Sequence, residues 1–299
     1  MRGPFSLVAA TLVLAAGAAG CGLKSEPIGA QPGYPLTVVD SAGRTVTVPA
    51  QPRRIVSLDA GLTESLFALG AGSRVVGRSG AELYPTTALR LPALVTGGAP
   101  DMGRIRALHP DLVVAAPNTT AGQAASMATQ LHAPVYVPEQ STVRGIEHDM
   151  LAVAGLVGRA APGRRLIGGL QERIAQLQRS LRSRPAVSVF VDRGNRMTIT
   201  GHGLGLLMLS LAGGQNAAAG AAPGTPYPLA RLRSSPPAVY LSVKGGGATR
   251  ASLHRDRVHV HRFAVIGRGL LSDAGPRMPQ ALDTLAGLLH PGVIPPTHG

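Results

Sequence analysis

Apolar residues recur along this chain with two different periods, and the changes of period mark its organisation. Leu36 to Asp40 and Thr45 to Val48 alternate apolar and polar side chains around a Ser-Ala-Gly-Arg turn, which predicts a β-hairpin. Ile55 to Leu58 reads as a buried strand. A helix beginning at Asp59 or Gly61 then carries Leu62, Leu66, Phe67 and Leu69 to a stop at Gly70. Strand Val75 to Gly77, a helix around Arg104 to Leu108, strand Asp111 to Ala116, helix Ala121 to Leu131 and strand Pro134 to Val137 continue the alternation. From about Thr142 to Arg184 the period is helical throughout. Leu166, Leu170, Ile174, Leu177 and Leu181 mark a helix from Pro162 to Arg182, about 30 Å long at 1.5 Å per residue. Beyond it, strands are expected at Val187 to Val191, Met197 to Thr200, Ala238 to Val243 and Val258 to Phe263. Helices are expected at Leu204 to Leu211 and Pro276 to Leu289, with a helical turn at Leu229 to Leu232.

Strands alternating with helices on both sides of one long helix predict an α/β fold class, with two α/β lobes joined by a single long helix and a ligand cleft between the lobes. A faint internal repeat supports the division: residues 100–116 and 228–243 each read as a short helix, proline, then an apolar strand. The lobes are expected at 35–160 and 185–292, with the connecting helix at 161–184.

The first 34 residues carry a different signal. Arg2 precedes an apolar run from Phe5 to Gly20 that ends in small residues immediately before Cys21, the pattern of an export signal. Together these features resemble a bacterial lipoprotein signal, in which Cys21 is lipidated and residues 1–20 are removed, although Ala18 stands where that motif prefers leucine. An uncleaved anchor stays open, because no charge occurs between Gly3 and Leu23 and a helix of that length covers the hydrocarbon core of about 30 Å. Either reading places the rest of the chain outside the cytoplasm, anchored to the cell membrane through a linker at 21–34.

Composition narrows the function classes. With 44% hydrophobic and 15% charged residues, the 299-residue chain has the material for a large core. A single cysteine excludes an intramolecular disulfide and a thiolate-rich metal site. The net charge of +14 would suggest nucleic acid, but 27 arginines against two lysines, Lys24 and Lys244, are scattered without a block and read as compositional habit. Four Phe, five Tyr and no Trp leave little for base stacking, so no nucleic-acid partner is expected. His254, His259 and His261 invite a metal reading, His259 and His261 lying two apart on one face of a predicted strand where two imidazoles could share a metal, but surface histidines are the preferred reading, no metal site is expected, and a haem ligand from His or Tyr stays open. No Gly-x-Ser-x-Gly elbow, His-Glu-x-x-His helix or phosphate-binding loop occurs, and no catalysis is indicated.

Several stretches resemble one family. Leu-Thr-Val-Val-Asp-Ser-Ala-Gly-Arg-Thr-Val-Thr-Val-Pro from Leu36, Arg-Arg-Ile-Val-Ser-Leu-Asp-Ala-Gly-Leu-Thr-Glu-Ser-Leu-Phe-Ala-Leu-Gly from Arg53, Ala-Leu-His-Pro-Asp-Leu-Val from Ala107 and Leu-Ala-Gly-Gly-Gln-Asn from Leu211 are similar, in order and spacing, to the class III substrate-binding proteins of ferric-siderophore, haem and cobalamin ABC importers. The resemblance implies a rigid helical connection between the lobes, a ligand in a shallow cleft, and docking onto a permease with its ATPase. Members of the family typically present one glutamate per lobe to arginine pockets on the permease. The first falls on Glu64; its position as a first-turn acid facing the helix dipole is a compatible structural reading. The second position is occupied by Leu207, and Gly103 and Pro237 stand where the family often has acids, so that docking residue looks lost.

Loops following strands supply the candidate ligand contacts. These are Ser57, Asp59, Arg78, Tyr84, Asn118 and Thr119 in the first lobe, and Asp192, Arg193, His202, Lys244 and Arg268 in the second. Arginines among them suit an anionic ferric chelate. The expected role is that of a monomeric solute-binding lipoprotein without an intrinsic cofactor, which takes up a small-molecule chelate, a ferric siderophore, haem or cobalamin. The alternative is a degenerate binding fold that acts as an extracytoplasmic interaction or sensory module.

Overall fold

A computed structural model describes residues 33–201, 203–272 and 274–293. Leu36–Val39 (β1) and Thr45–Val48 (β2) pair antiparallel, Leu36 opposite Val48, as the alternation predicts. The first lobe follows: Ile55–Ser57 (β3), Ala60–Ala68 (α1), Val75–Arg78 (β4), a short ribbon of Val95–Thr96 (β5) and Ala99–Pro100 (β6), Met102–Ala107 (α2), Leu112–Val114 (β7), Ala121–Leu131 (α3) and Val135–Tyr136 (β8). Val143–Leu156 (α4) and Ala160–Leu181 (α5) lead to the second lobe. There the order is Val187–Asp192 (β9), Leu204–Leu211 (α6), Gly214–Asn216 (β10), Leu229–Ser234 (α7), Val239–Val243 (β11), Arg250–Arg255 (α8), Arg262–Ile266 (β12) and Met278–Leu289 (α9).

Each lobe is built on a four-stranded parallel sheet, ordered β4-β3-β7-β8 in the first and β10-β9-β11-β12 in the second. Within each lobe the strands therefore run second, first, third, fourth. The internal repeat falls on equivalent places, α2 into β7 and α7 into β11, the third strand lying beside the first in both lobes. Strand residues buried on both faces, such as Ile55, Val56, Val113 and Val114, are the continuous apolar runs that a covered parallel sheet requires.

The helix α5 has 22 residues, about 33 Å of axial rise. Ile167, Leu170, Ile174, Leu177 and Leu181 bury one stripe against Val189, Leu209, Leu282 and Leu285 of the second lobe. At its other end Gly163 allows close approach to the first lobe's side of the molecule: a Cβ there would sit 2.5 Å from that of Ala154 in α4. Helix α4 shares its own stripe, with Val153 and Leu156 in the first lobe's core and Ile146 and Met150 in the second's. Two cores are thus bridged by packed helices, giving two α/β lobes with α5 as their connection. None of the described helices is long and apolar enough to cross a membrane.

Two expectations fail. Met197 to Thr200 forms no strand, because the chain turns sharply after Asp192, Met197 donating its N–H to the carbonyl of Gly194. The last strand lies at Arg262–Ile266 rather than Val258 to Phe263: Val258 instead tucks under α8, and Arg262 is the residue that registers with Val239. The ribbon β5–β6, the strand β10 and the helix α8 were not anticipated.

Candidate functional site

In an open parallel sheet, a crevice forms at the carboxyl ends of neighbouring strands whose connections leave in opposite directions. The first lobe has that point between β3 and β7, and a cavity of about 1040 Å³ opens there. Leu58, Asp59 and Ala60 line it after β3, Ser79 to Ala81 after β4, and Ala116, Asn118 and Thr119 after β7. Helix α3 forms one wall. Thr120 caps it, its Oγ1 accepting from Gln123 N while the Gln123 side chain accepts from Thr120 N. That start turns Gly122, Gln123, Ser126, Met127 and Gln130 toward the cavity at helical spacing. The β5–β6 ribbon and Met102 form the opposite wall, and Ser272 alone among the described lining residues comes from the second lobe.

Asp59 is the one ionisable side chain among those lining residues. Its Oδ1 accepts from Leu62 N at 2.7 Å, which caps α1, and its carbonyl accepts from Ser57 Oγ at 3.1 Å and Thr63 Oγ1 at 2.7 Å. Burial pushes its carboxyl up to about 6, against the lowering effect of the Leu62 N–H and Gln140, with the nearby Glu82 carboxylate adding to the rise. The turn that presents Asp59 to the cavity is held from three sides.

Of the candidate contacts, Asp59, Asn118 and Thr119 reach the cavity and the other described ones do not. Ser57 is fully buried and spent on the Asp59 turn. Arg78 faces away, its Nη1 3.0 Å from Glu82 Oε2 and its Nε donating to Leu91 O. Burial would raise the Glu82 carboxyl, but donors from Gly80, Ser79 and Arg78 hold it below the usual range. Tyr84 is exposed, with the Arg277 guanidinium 4.3 Å over its ring. Asp192, the last residue of β9, stands one register position short of the place Asp59 has after β3, and it is 1% exposed. It accepts from Gly194 N, Arg196 N, Tyr240 Oη and Ala248 N, which fills that lobe's switch point. Arg193, Lys244 and Arg268 are exposed and off the cavity wall. His202 and Cys21 lie outside the described residues. The arginines offered to an anionic ligand are thus absent from the described wall.

Glu64 does not lie in the first turn of α1. Its side chain is 6% exposed and reaches the second lobe, accepting from Arg277 N at 3.0 Å and from Arg277 Nε at 2.9 Å. Leu207 packs against the second lobe's core. His259 and His261 are exposed in the coil before β12, not on a strand, and no group of three or more metal-ligating side chains occurs among the described residues. Sequence reasoning missed Met102, Gln123, Ser126, Met127 and Gln130. The i, i+3, i+4 recurrence of those on α3 was the available signal.

Comparison with known proteins agrees with this arrangement. Residues 55–236, well over half of the chain, match the family described as periplasmic binding protein. Over 180 residues the chain is 26% identical to an ABC transporter substrate-binding lipoprotein of Bacillus subtilis, covering 58% of this chain and 54% of that one. Over 204 residues it is 26% identical to a cobalamin-binding protein of Halobacterium salinarum, covering 65% and 54%. The chain thus spans about half the length of these relatives. A periplasmic haem-binding protein of Pseudomonas aeruginosa superposes with a TM-score of 0.69 over 81% of this chain and 94% of the other at 20% identity, a likeness of fold. Two parallel-sheet lobes on a helical connection, a cavity at a strand switch point and a family match that takes in most of the first lobe, the connecting helices and the start of the second lobe lead to one conclusion: the chain belongs to the periplasmic binding protein family.

Proposed function

We propose that this protein captures a bulky, nearly uncharged metal chelate of the corrinoid type outside the cytoplasm and delivers it to an ABC permease and its ATPase. The chemistry of the cavity wall carries the reading. Amide, hydroxyl, thioether and small apolar groups surround about 1040 Å³, and among the described lining residues there is no arginine, lysine, histidine or tyrosine. An anionic ferric siderophore calls for guanidinium forks. Haem calls for an axial ligand, commonly His or Tyr, and cations for its propionates. A cobalamin brings its own axial base and presents amides around its rim, which Asn118, Gln123, Gln130 and the Asp59 carboxylate are suited to receive. The name of the Halobacterium relative points the same way.

Attachment to the membrane through a lipidated Cys21 and a monomeric state belong to the same proposal. So does docking through Glu64, which would require its carboxylate to exchange Arg277 for a cation of the permease. A second reading rests on that pair. With Glu64 engaged internally and a leucine at position 207, the fold would serve as an extracytoplasmic interaction or sensory module without transport.

Thermal unfolding of the protein against cyanocobalamin, haem, ferric siderophores and divalent metals separates the readings. Ligand at about 100 times its dissociation constant stabilises by about 2.7 kcal/mol. A saturable shift with cyanocobalamin alone is the expected result. A shift with haem or a siderophore instead would overturn the corrinoid assignment, and no shift with any of them would favour the module.

A further inference from the structure

Two residues 213 positions apart in sequence join the lobes beside the cavity. Both Glu64 carboxylate oxygens are taken by Arg277, one by its backbone N–H and one by its guanidinium, so that α1 of the first lobe grips the chain just ahead of α9. The same guanidinium stacks on Tyr84 of the first lobe. Beneath the pair the two backbones touch. A Cβ on Gly61 would sit 2.8 Å from the carbonyl carbon of Ala274, and one on Gly275 would sit 3.0 Å from Gly61 O, so glycine on each side is what allows the contact. Immediately upstream is Ser272, the second lobe's described contribution to the cavity wall. Immediately downstream α9 starts, with Met278, Leu282 and Leu285 buried in the second lobe's core.

We propose that Glu64 and Arg277 are positioning residues: they clasp the second lobe's chain at Ala274 to Arg277 onto α1, setting Ser272 at the mouth of the cavity, and opening of the clasp opens that mouth. The importance of the cavity rests on the binding role proposed above. Because α9 is packed into the second lobe, displacement of that lobe carries Arg277 with it, and the pair is a polar contact that must then break. Arg277 is 43% exposed, and Glu64 and Arg277 also border a second cavity of about 450 Å³ with Leu83 and Val265. A competing cation arriving from solvent can therefore reach the pair.

Hydrogen exchange of the full chain, without ligand, tests the clasp in the wild type and in Arg277→Met, Glu64→Gln and Arg277→Lys. Arg277→Met should speed exchange by about tenfold or more at 270–280 and also in the Tyr84 loop of the other lobe, since a hydrogen bond to a charged group is lost between them. Glu64→Gln should speed it at 270–280. Arg277→Lys, which keeps the charge and the backbone N–H, should retain most of the protection. Wild-type exchange in Arg277→Met, or acceleration spread over the whole chain in step with lost global stability, would overturn the proposal. With cyanocobalamin as probe, the dissociation rate should rise in Arg277→Met and recover in Arg277→Lys. An unchanged rate from a loosened segment would overturn the link to the cavity mouth. Failure of cyanocobalamin to bind even the wild type would refute the ligand reading, while the exchange data still decide the clasp.

Discussion

Replacing Asp59 by asparagine should make the protein more stable at alkaline pH and leave it unchanged in acid. Burial moves the Asp59 carboxyl from its ordinary 3.8 to about 6, so the folded state holds a proton that the unfolded chain has already released. For an acid raised in this way the ionised form carries the cost: the cost is complete above about pH 6, shrinks as pH falls, and is absent below about pH 4. Two powers of ten at 1.36 kcal/mol each correspond to about 3 kcal/mol, an upper figure because opening of the cavity to water softens it. Asparagine keeps an oxygen that can accept from Leu62 N and caps helices as well as aspartate, so α1 should survive the change. Asp149, which burial pushes up to about 7 with the Asp59 carboxylate adding to the rise, contributes a pH dependence of the same sign, and its partial relief in Asp59→Asn adds to the gain at alkaline pH. Urea unfolding at pH 8 and pH 4 measures it. A gain of about 1 to 3 kcal/mol at pH 8 that vanishes at pH 4 is expected. An equal effect at both pH values, or a loss at pH 8, would refute the assignment of Asp59 as a carboxylate ionised against its surroundings.

Gly122 lies on the cavity wall with open space where a side chain would go, so Gly122→Trp should leave stability unchanged or slightly raised while weakening ligand binding about tenfold or more; as the only tryptophan of the chain it also reports on the cavity by fluorescence. Asp192→Ala strands four donors at the end of β9, including the buried Tyr240 hydroxyl, and should cost about 3 kcal/mol in unfolding while the folded fraction binds normally. Cys21→Ser should release the protein from the membrane fraction, whereas continued retention would favour an uncleaved anchor.

The elements that sequence located well are those whose signal is local. Helix α3 has its capping residues and its apolar spacing within 12 positions, and α6 is framed by glycines; both match their expected bounds. The strand β10 could not be read, because Gly-Gln-Asn has no strand preference and is extended only by pairing Gly214 with Val187 and Asn216 with Val189. Two-residue strands such as β5 and β6 are too short to show any period. The site divides in the same way. Asp59 and Asn118 were legible as loop residues following strands. The fate of Arg78 depended on Glu82 folding back beneath it, and that of Glu64 on a residue 213 positions away, which no window of sequence contains.

The two lobes repeat one strand order, yet only the first leaves its switch point open, and the difference lies in the loop after the third strand. In the first lobe Ala115 to Thr119 runs straight into a capped α3, and small side chains at Ala116 and Gly122 leave room above Asp59. In the second lobe Gly245, Gly246 and Gly247 let the loop fold back over the end of β9: a Cβ on Gly246 would sit 2.8 Å from Arg193 O, and one on Gly247 2.7 Å from Asp192 O. That loop delivers Ala248 N to Asp192 and leaves a space of only about 180 Å³. The acids near the end of each lobe's first strand therefore have opposite employment: Asp59, just past β3, faces a cavity, and Asp192, still within β9, is saturated by hydrogen bonds. A ligand site built this way belongs mainly to one lobe. The second lobe acts on it from the side, through Ser272 and the chain that Glu64 holds in place.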